Sequence, residues 1–244
     1  MPLTRRRLLR SLGAAAGIAG VGAGGVALVD AEVLPGRSVL NRTLGRCDAR
    51  PPDAPRAPAP PPVTGNFRSA ARRRRVGFAI AYPPGYAPGA RLPVCLALHG
   101  YAADAGTAVG AAGCPEFLAG ALPHGAAPFA LAALTHPDRF RAVVATSPAI
   151  FHSYADARRV NAGAFDSADE WARYDVTARA GEFAGLPVRI AIGAADPFTE
   201  AVRTLRDRLP GPSAVEITTG CHDGHYWWSV APGQVRAISA ALAD

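Results

Sequence analysis

The sequence predicts an α/β fold: a mostly parallel sheet with helices on both faces. Three observations carry this. Short continuous apolar runs at Pro93–Leu98, Arg141–Ser147 and Pro187–Gly193 have the composition of strands covered on both sides. An amphipathic segment separates the last of them from a further strand-like run, Ala214–Thr218, and another closes the chain. Strands alternating with helices build parallel sheets, because each parallel return needs a crossover.

The elements follow in order. Arg5-Arg6-Arg7 precedes an uncharged, Ala- and Gly-rich run from Ser11 to Val29. Residues 1–31 therefore read as a twin-arginine-type signal for export to the extracellular side. The second reading of the same run is a membrane anchor holding the chain at the outer face of the cytoplasmic membrane, with contact through residues 11–29. Residues 32–64 read as a linker. The stretch Asp48–Pro62 is dominated by Pro, Ala and Arg, which keep a chain extended and deprive it of backbone donors. The folded domain is expected over 65–244.

Val76–Tyr82 alternates with Phe78, Ile80 and Tyr82 on one face, the period of a half-buried strand. Pro93–Leu98 ends abruptly at His99-Gly100-Tyr101. Pro115–Leu122 suits a short helix and Pro128–Ala133 a short apolar strand. Arg141–Ser147 is a buried strand stopped by Pro148. From Phe151 to Gly185 the pattern loosens, with Tyr154, Phe165, Trp171 and Tyr174 among charges. That segment, 151–185, reads either as a cap over a site or as a surface excursion with a few core anchors. After the Pro187–Gly193 strand, Thr199 is placed to cap a helix carrying Val202, Leu205 and Leu209 on one face. Ala214–Thr218 is the last strand, and Val235, Ile238 and Leu242 mark a closing helix.

Composition narrows the function. All the basic residues are arginine, and the net charge is +7. Richness in Arg, Ala, Pro and Gly together points to a coding bias, and Arg72–Arg75 reads as a solvated lead-in to a strand. Nucleic acid is not an expected partner. The four cysteines (Cys47, Cys95, Cys114, Cys221) match no paired zinc spacing, and export would permit one or two disulfides without fixing their pairing. His222-Asp223-Gly224-His225 lacks a further ligand cluster, so no metal and no cofactor are expected.

Functional groups of parallel sheets collect at the carboxyl ends of strands. His99, Asp196 and His222 all fall there. An acid and then a histidine on successive strand ends is the order of an acyl-transfer triad after its serine. His222 would take the nucleophile's proton and Asp196 would orient its ring.

These residues carry a resemblance. His99-Gly100, Thr135-His136-Pro137-Asp138-Arg139-Phe140 leading into Val143–Pro148, Gly193-x-x-Asp196-Pro197-Phe198 and Gly220-x-His222-Asp223-x-x-Tyr226-Trp227 resemble the putative esterase family of α/β-hydrolases. That family includes esterase D-type enzymes and antigen 85-type mycolyltransferases. The resemblance covers roughly Gly65 to the C-terminus. It implies that Asp196 and His222 are the catalytic acid and base, that His99, Gly100 and Tyr101 form the oxyanion loop, and that Tyr226 and Trp227 touch substrate. The substrate class it implies is a small acyl ester or a glycolipid. One part departs from the pattern. No serine has glycine two positions away on both sides, and Pro128–Ala132, which resembles an early strand of the family, runs directly into Ala133-Leu134-Thr135-His136-Pro137, which resembles the end of the helix that follows the nucleophile. The sheet should therefore lack its central nucleophile strand and the helix that follows. The expected function is an exported serine carboxylesterase- or acyltransferase-like protein without a recognisable nucleophile. The alternative is a non-enzymatic extracytoplasmic ligand-binding pseudoenzyme.

Overall fold

A computed structural model describes residues 36–50, 60–70, 73–82, 140–211 and 213–243, with isolated positions between them. The expected signal run, the strands Pro93–Leu98 and Pro128–Ala133, the helix Pro115–Leu122 and the His136–Arg139 motif lie outside these residues, apart from isolated positions. The chain divides into two units, Met1–Arg46 and Cys47–Asp244. The first contains a short helix, α1 (Arg37–Thr43), within the segment read as linker. Among the described residues no helix is long and apolar enough to cross a membrane.

Among the described residues the second unit contains two sheets. β1 (Val63–Ser69) and β2 (Arg74–Ile80) form an antiparallel hairpin, with Phe67 opposite Val76 and Gly65 opposite Phe78. The sequence predicts β2 but not β1, whose Gly, Asn, Arg and Ser mask any alternation. The predicted face is also corrected: Phe78 and Ile80 are exposed. Phe78 covers its cross-strand neighbour Gly65, where a Cβ would stand 2.5 Å from the ring, and lies 6.5 Å from Phe67 between centroids. The alternation here serves cross-strand pairing, not burial.

The other sheet is parallel, in the order β3 (Val143–Thr146), β4 (Val188–Gly193), β5 (Ala214–Thr218). All three strands fall within the runs that predict them. β4 is central and covered on both faces. Val188, Ile190 and Ile192 pack with Val202 and Leu205 of α4 (Thr199–Arg206). Ala191, on the opposite face, packs with Tyr226 and Val230 of α5 (Gly224–Ala243). Burying each of these large aliphatic side chains contributes about 1.5–3 kcal/mol. The α/β class with helices on both faces therefore holds for these three strands.

A buried amide fixes α5 on the sheet. Gln234 Nε2 donates to the Ala145 carbonyl at 2.7 Å and to Thr146 Oγ1 at 3.0 Å, and Gln234 Oε1 accepts from Arg189 Nε at 2.8 Å. Every polar atom of that side chain that enters the interior has a partner, which is the condition for burying an amide cheaply.

Between β3 and β4 the segment read as a cap folds into α2 (Tyr154–Val160), α3 (Ala168–Tyr174) and a 3-10 turn (Ala180–Phe183). Ser153 and Ser167 cap the two helices, accepting from the Asp156 and Glu170 backbone N–H groups. Ala180, Phe183 and Leu186 join the core beneath β4. Two elements differ from expectation at their starts. Thr199 does not cap α4; Phe198 is the cap residue, and the Thr199 hydroxyl donates to the Gly193 and Asp196 carbonyls. α5 begins at Gly224 and runs through Pro232, so Tyr226, Trp227 and Trp228 are helical.

Candidate functional site: an acid and a histidine on adjacent strand ends

Two glycines bring the ends of β4 and β5 together. Gly193 ends β4 and Gly220 follows β5. A Cβ at Gly193 would overlap the Gly220 carbonyl, and one at Gly220, whose φ is +155°, would overlap the Tyr226 ring. Only a residue without a side chain permits either approach. Ala194 N–H then donates to the Thr218 carbonyl at 2.7 Å, and Ala195 N–H to the Gly220 carbonyl at 3.0 Å. The loop after β4 is thereby fastened to the loop after β5.

On this frame His222 Nδ1 meets Asp196 Oδ2 at 2.8 Å. The Asp196 side chain has no exposure, whereas that of His222 is 36 % exposed. Asp196 Oδ1 accepts from Phe198 N–H at 2.9 Å, so both carboxyl oxygens are engaged. A carboxylate can only accept, so Nδ1 carries the hydrogen and Nε2 of the neutral ring is left as an acceptor. The ring is held from its sides as well. Phe198 and Trp227 stand edge-to-face with it, each at 5.4 Å between centroids, and Phe151 stands likewise against Phe198. A pair so arranged can take up a proton at Nε2 with the Asp196 carboxylate beside the resulting cation, as general acid–base chemistry requires.

The other predicted residues distribute as follows. His225 is exposed on the first turn of α5, and Asp196 meets His222, not His225. Trp227 is half-buried against His222, with its indole N–H enclosed and unpartnered. Tyr226, which the resemblance places against substrate, lies on the face of α5 packed against β4. Its ring is fully buried, and its hydroxyl shares a hydrogen bond with Thr218 Oγ1 at 3.3 Å. Burial pushes its phenol up to about 12. His99, Gly100 and Tyr101 lie outside the described residues. No group of three or more His, Cys, Asp or Glu suited to a metal is present among the described residues.

Two further features bear on the site. Cys47 and Cys221 form a disulfide, which ties the chain before the Pro-rich stretch to the residue preceding His222. Four cysteines alone leave the pairing open, so no signal in the sequence selects it. The other is Ser147, directly after β3. Its φ is +45°, the residue is 5 % exposed, and its Oγ has no hydrogen-bond partner. Its N–H donates to the Ala191 carbonyl at 2.8 Å, which extends the β3–β4 ladder by one residue. A strained turn after a strand is the setting of a nucleophile elbow. Here the next residue is Pro148, which has no N–H to offer an oxyanion, and the hydroxyl is enclosed. The Ser147-Pro148 pair is the one sequence signal for this turn.

No known protein family, curated protein or solved structure matches the chain.

Proposed function

We propose that this chain is an exported scaffold of the serine-esterase and acyltransferase type, α/β-hydrolase-like, which holds the acid and the base of a triad without a nucleophile elbow. The observation that carries the proposal is the 2.8 Å contact of His222 Nδ1 with a fully buried Asp196 carboxylate across adjacent parallel strand ends. Acid after one strand and histidine after the next is the order that chemistry uses. In this reading His222 Nε2 receives a proton, Asp196 orients the ring and stabilises the imidazolium, and Trp227 borders the acyl ester or glycolipid. The strand expected to carry the serine would lie beyond β3, the outer strand of the described parallel sheet. Without that serine, turnover falls by orders of magnitude, to what binding and an oxyanion hole supply. The disulfide supports an oxidising destination and so export.

The test is fluorophosphonate labelling of the purified, folded chain, with any modified residue mapped by mass spectrometry. The expected result is no stoichiometric adduct on a monomeric chain that unfolds cooperatively. An adduct on any serine, Ser147 included, would overturn the absence of a nucleophile and make the protein a working hydrolase.

A further inference from the structure

A second concavity lies on the α5 side of β5. The Cys47–Cys221 link lies next to Asp48, Ala49, Arg50 and Pro52, which line one side of a cleft with a volume of about 720 Å³. Neither Asp196 nor His222 lines it. Its charge-bearing walls are Arg50, Arg189 and Arg236 against Glu216 and Asp48, with the hydroxyl of Thr219 among them. Glu216 is taken by Arg189 Nη2 at 2.5 Å. Arg50 and Arg236 make no ion pair or hydrogen bond with the described residues.

Two of these guanidiniums converge. A Cβ built on Gly233 would stand 3.1 Å from Arg189 Nη2 and 3.9 Å from Arg236 Nη2. Gly233 thus leaves open the floor of a cradle beneath both guanidiniums; Glu216 neutralises Arg189, and the exposed Arg236 keeps its charge for a ligand. Guanidinium forks match the paired oxygens of phosphate or sulfate, and the hydrogen bonds so formed are charge-assisted. The cleft is far larger than one such group and lies within the range of small-molecule sites.

We infer that this cleft binds a phosphorylated small polar molecule, with the phosphate between Arg236, Arg50 and Arg189 and the remainder over Thr219 and Pro52. The inference is independent of the esterase reading, since it shares no residue with the Asp196–His222 pair.

Calorimetric titration of the oxidised full chain tests it, using inorganic phosphate, sulfate and glucose 6-phosphate against ionic-strength-matched chloride. Saturable binding of the oxyanions over chloride is expected, weakened about tenfold or more in Arg236→Gln. Arg203→Gln, an exposed arginine on α4, should leave it unchanged. Gly233→Ala is the second variant. Alanine favours a helix more than glycine does, so the fold is kept while the new methyl crowds the cradle and affinity falls. Tighter binding of glucose 6-phosphate than of inorganic phosphate supports an organic phosphate as the ligand. Equal affinities would reduce the inference to a site for the free oxyanion and overturn its larger-ligand part. No binding at millimolar concentration, or binding indifferent to Arg236→Gln, would overturn it entirely.

Discussion

Replacing Cys47 and Cys221 together by serine should destabilise the chain more than any other paired change outside the core. The bridge joins residues separated by 174 positions. In the chain-entropy account, closing a loop of that length removes about 5 kcal/mol of freedom from the unfolded state. Native disulfides typically deliver about 2–5 kcal/mol when removed. For a chain of this size, about 2–4 °C of melting temperature accompanies each kcal/mol, so a drop of roughly 5–20 °C is expected. The assay is urea unfolding of the oxidised protein and the double variant, followed by tryptophan fluorescence, for which Trp227 beside His222 is a local reporter. Peptide mapping of the oxidised protein should recover Cys47 linked to Cys221. A variant whose unfolding midpoint equals that of the oxidised protein would refute the reasoning. So would a map pairing Cys221 with a different cysteine.

Three other outcomes follow from the site. Substituting His222→Ala leaves the buried Asp196 carboxyl with one partner instead of two. A stability loss of about 1.5–3 kcal/mol is expected, and an unchanged urea midpoint would mean the pair is not formed. Gly193→Ala places a methyl against the Gly220 backbone, which cannot swing aside. A loss of at least about 3 kcal/mol, or no folded protein, is expected, and normal folding would show that the two loops do not meet there. The third outcome concerns pH. Tyr226 is an acid whose folded value is raised to about 12 by burial, so between roughly pH 10 and 12 the unfolded chain binds fewer protons than the folded one. Stability from this group is complete below pH 10 and is lost as pH rises toward 12. Tyr226→Phe should flatten that alkaline decline in denaturation midpoints, and an identical decline in the variant would place the cause elsewhere.

The parallel sheet was legible because its strands are short and its central strand is apolar and doubly covered, and periodicity reports such burial directly. Val188, Ile190 and Ile192 face one side and Ala191 the other. The hairpin was half legible. β2 alternates, but its large residues attend to Gly65 and Phe67 across the pair, and a one-chain pattern cannot distinguish a neighbouring strand from a core. At α5, Pro232-Gly233 has the signature of a helix end. The helix continues because Gln234, Tyr226 and Val230 are anchored on the sheet on both sides of the proline, which costs about one backbone hydrogen bond. At the site, sequence spacing brought out Asp196 and His222 as the pair, and the distance between them rests on something local reading underrates. Each residue lies two or three positions after a glycine whose missing side chain lets the two strand ends close. The spacings Gly193-x-x-Asp196 and Gly220-x-His222 are therefore a mechanical requirement. An acid fixed in a turn three residues beyond β4 can reach an imidazole beyond β5 only if both backbones come nearer than any Cβ allows. The disulfide adds a covalent restraint to the same loop, since Cys221 directly precedes His222.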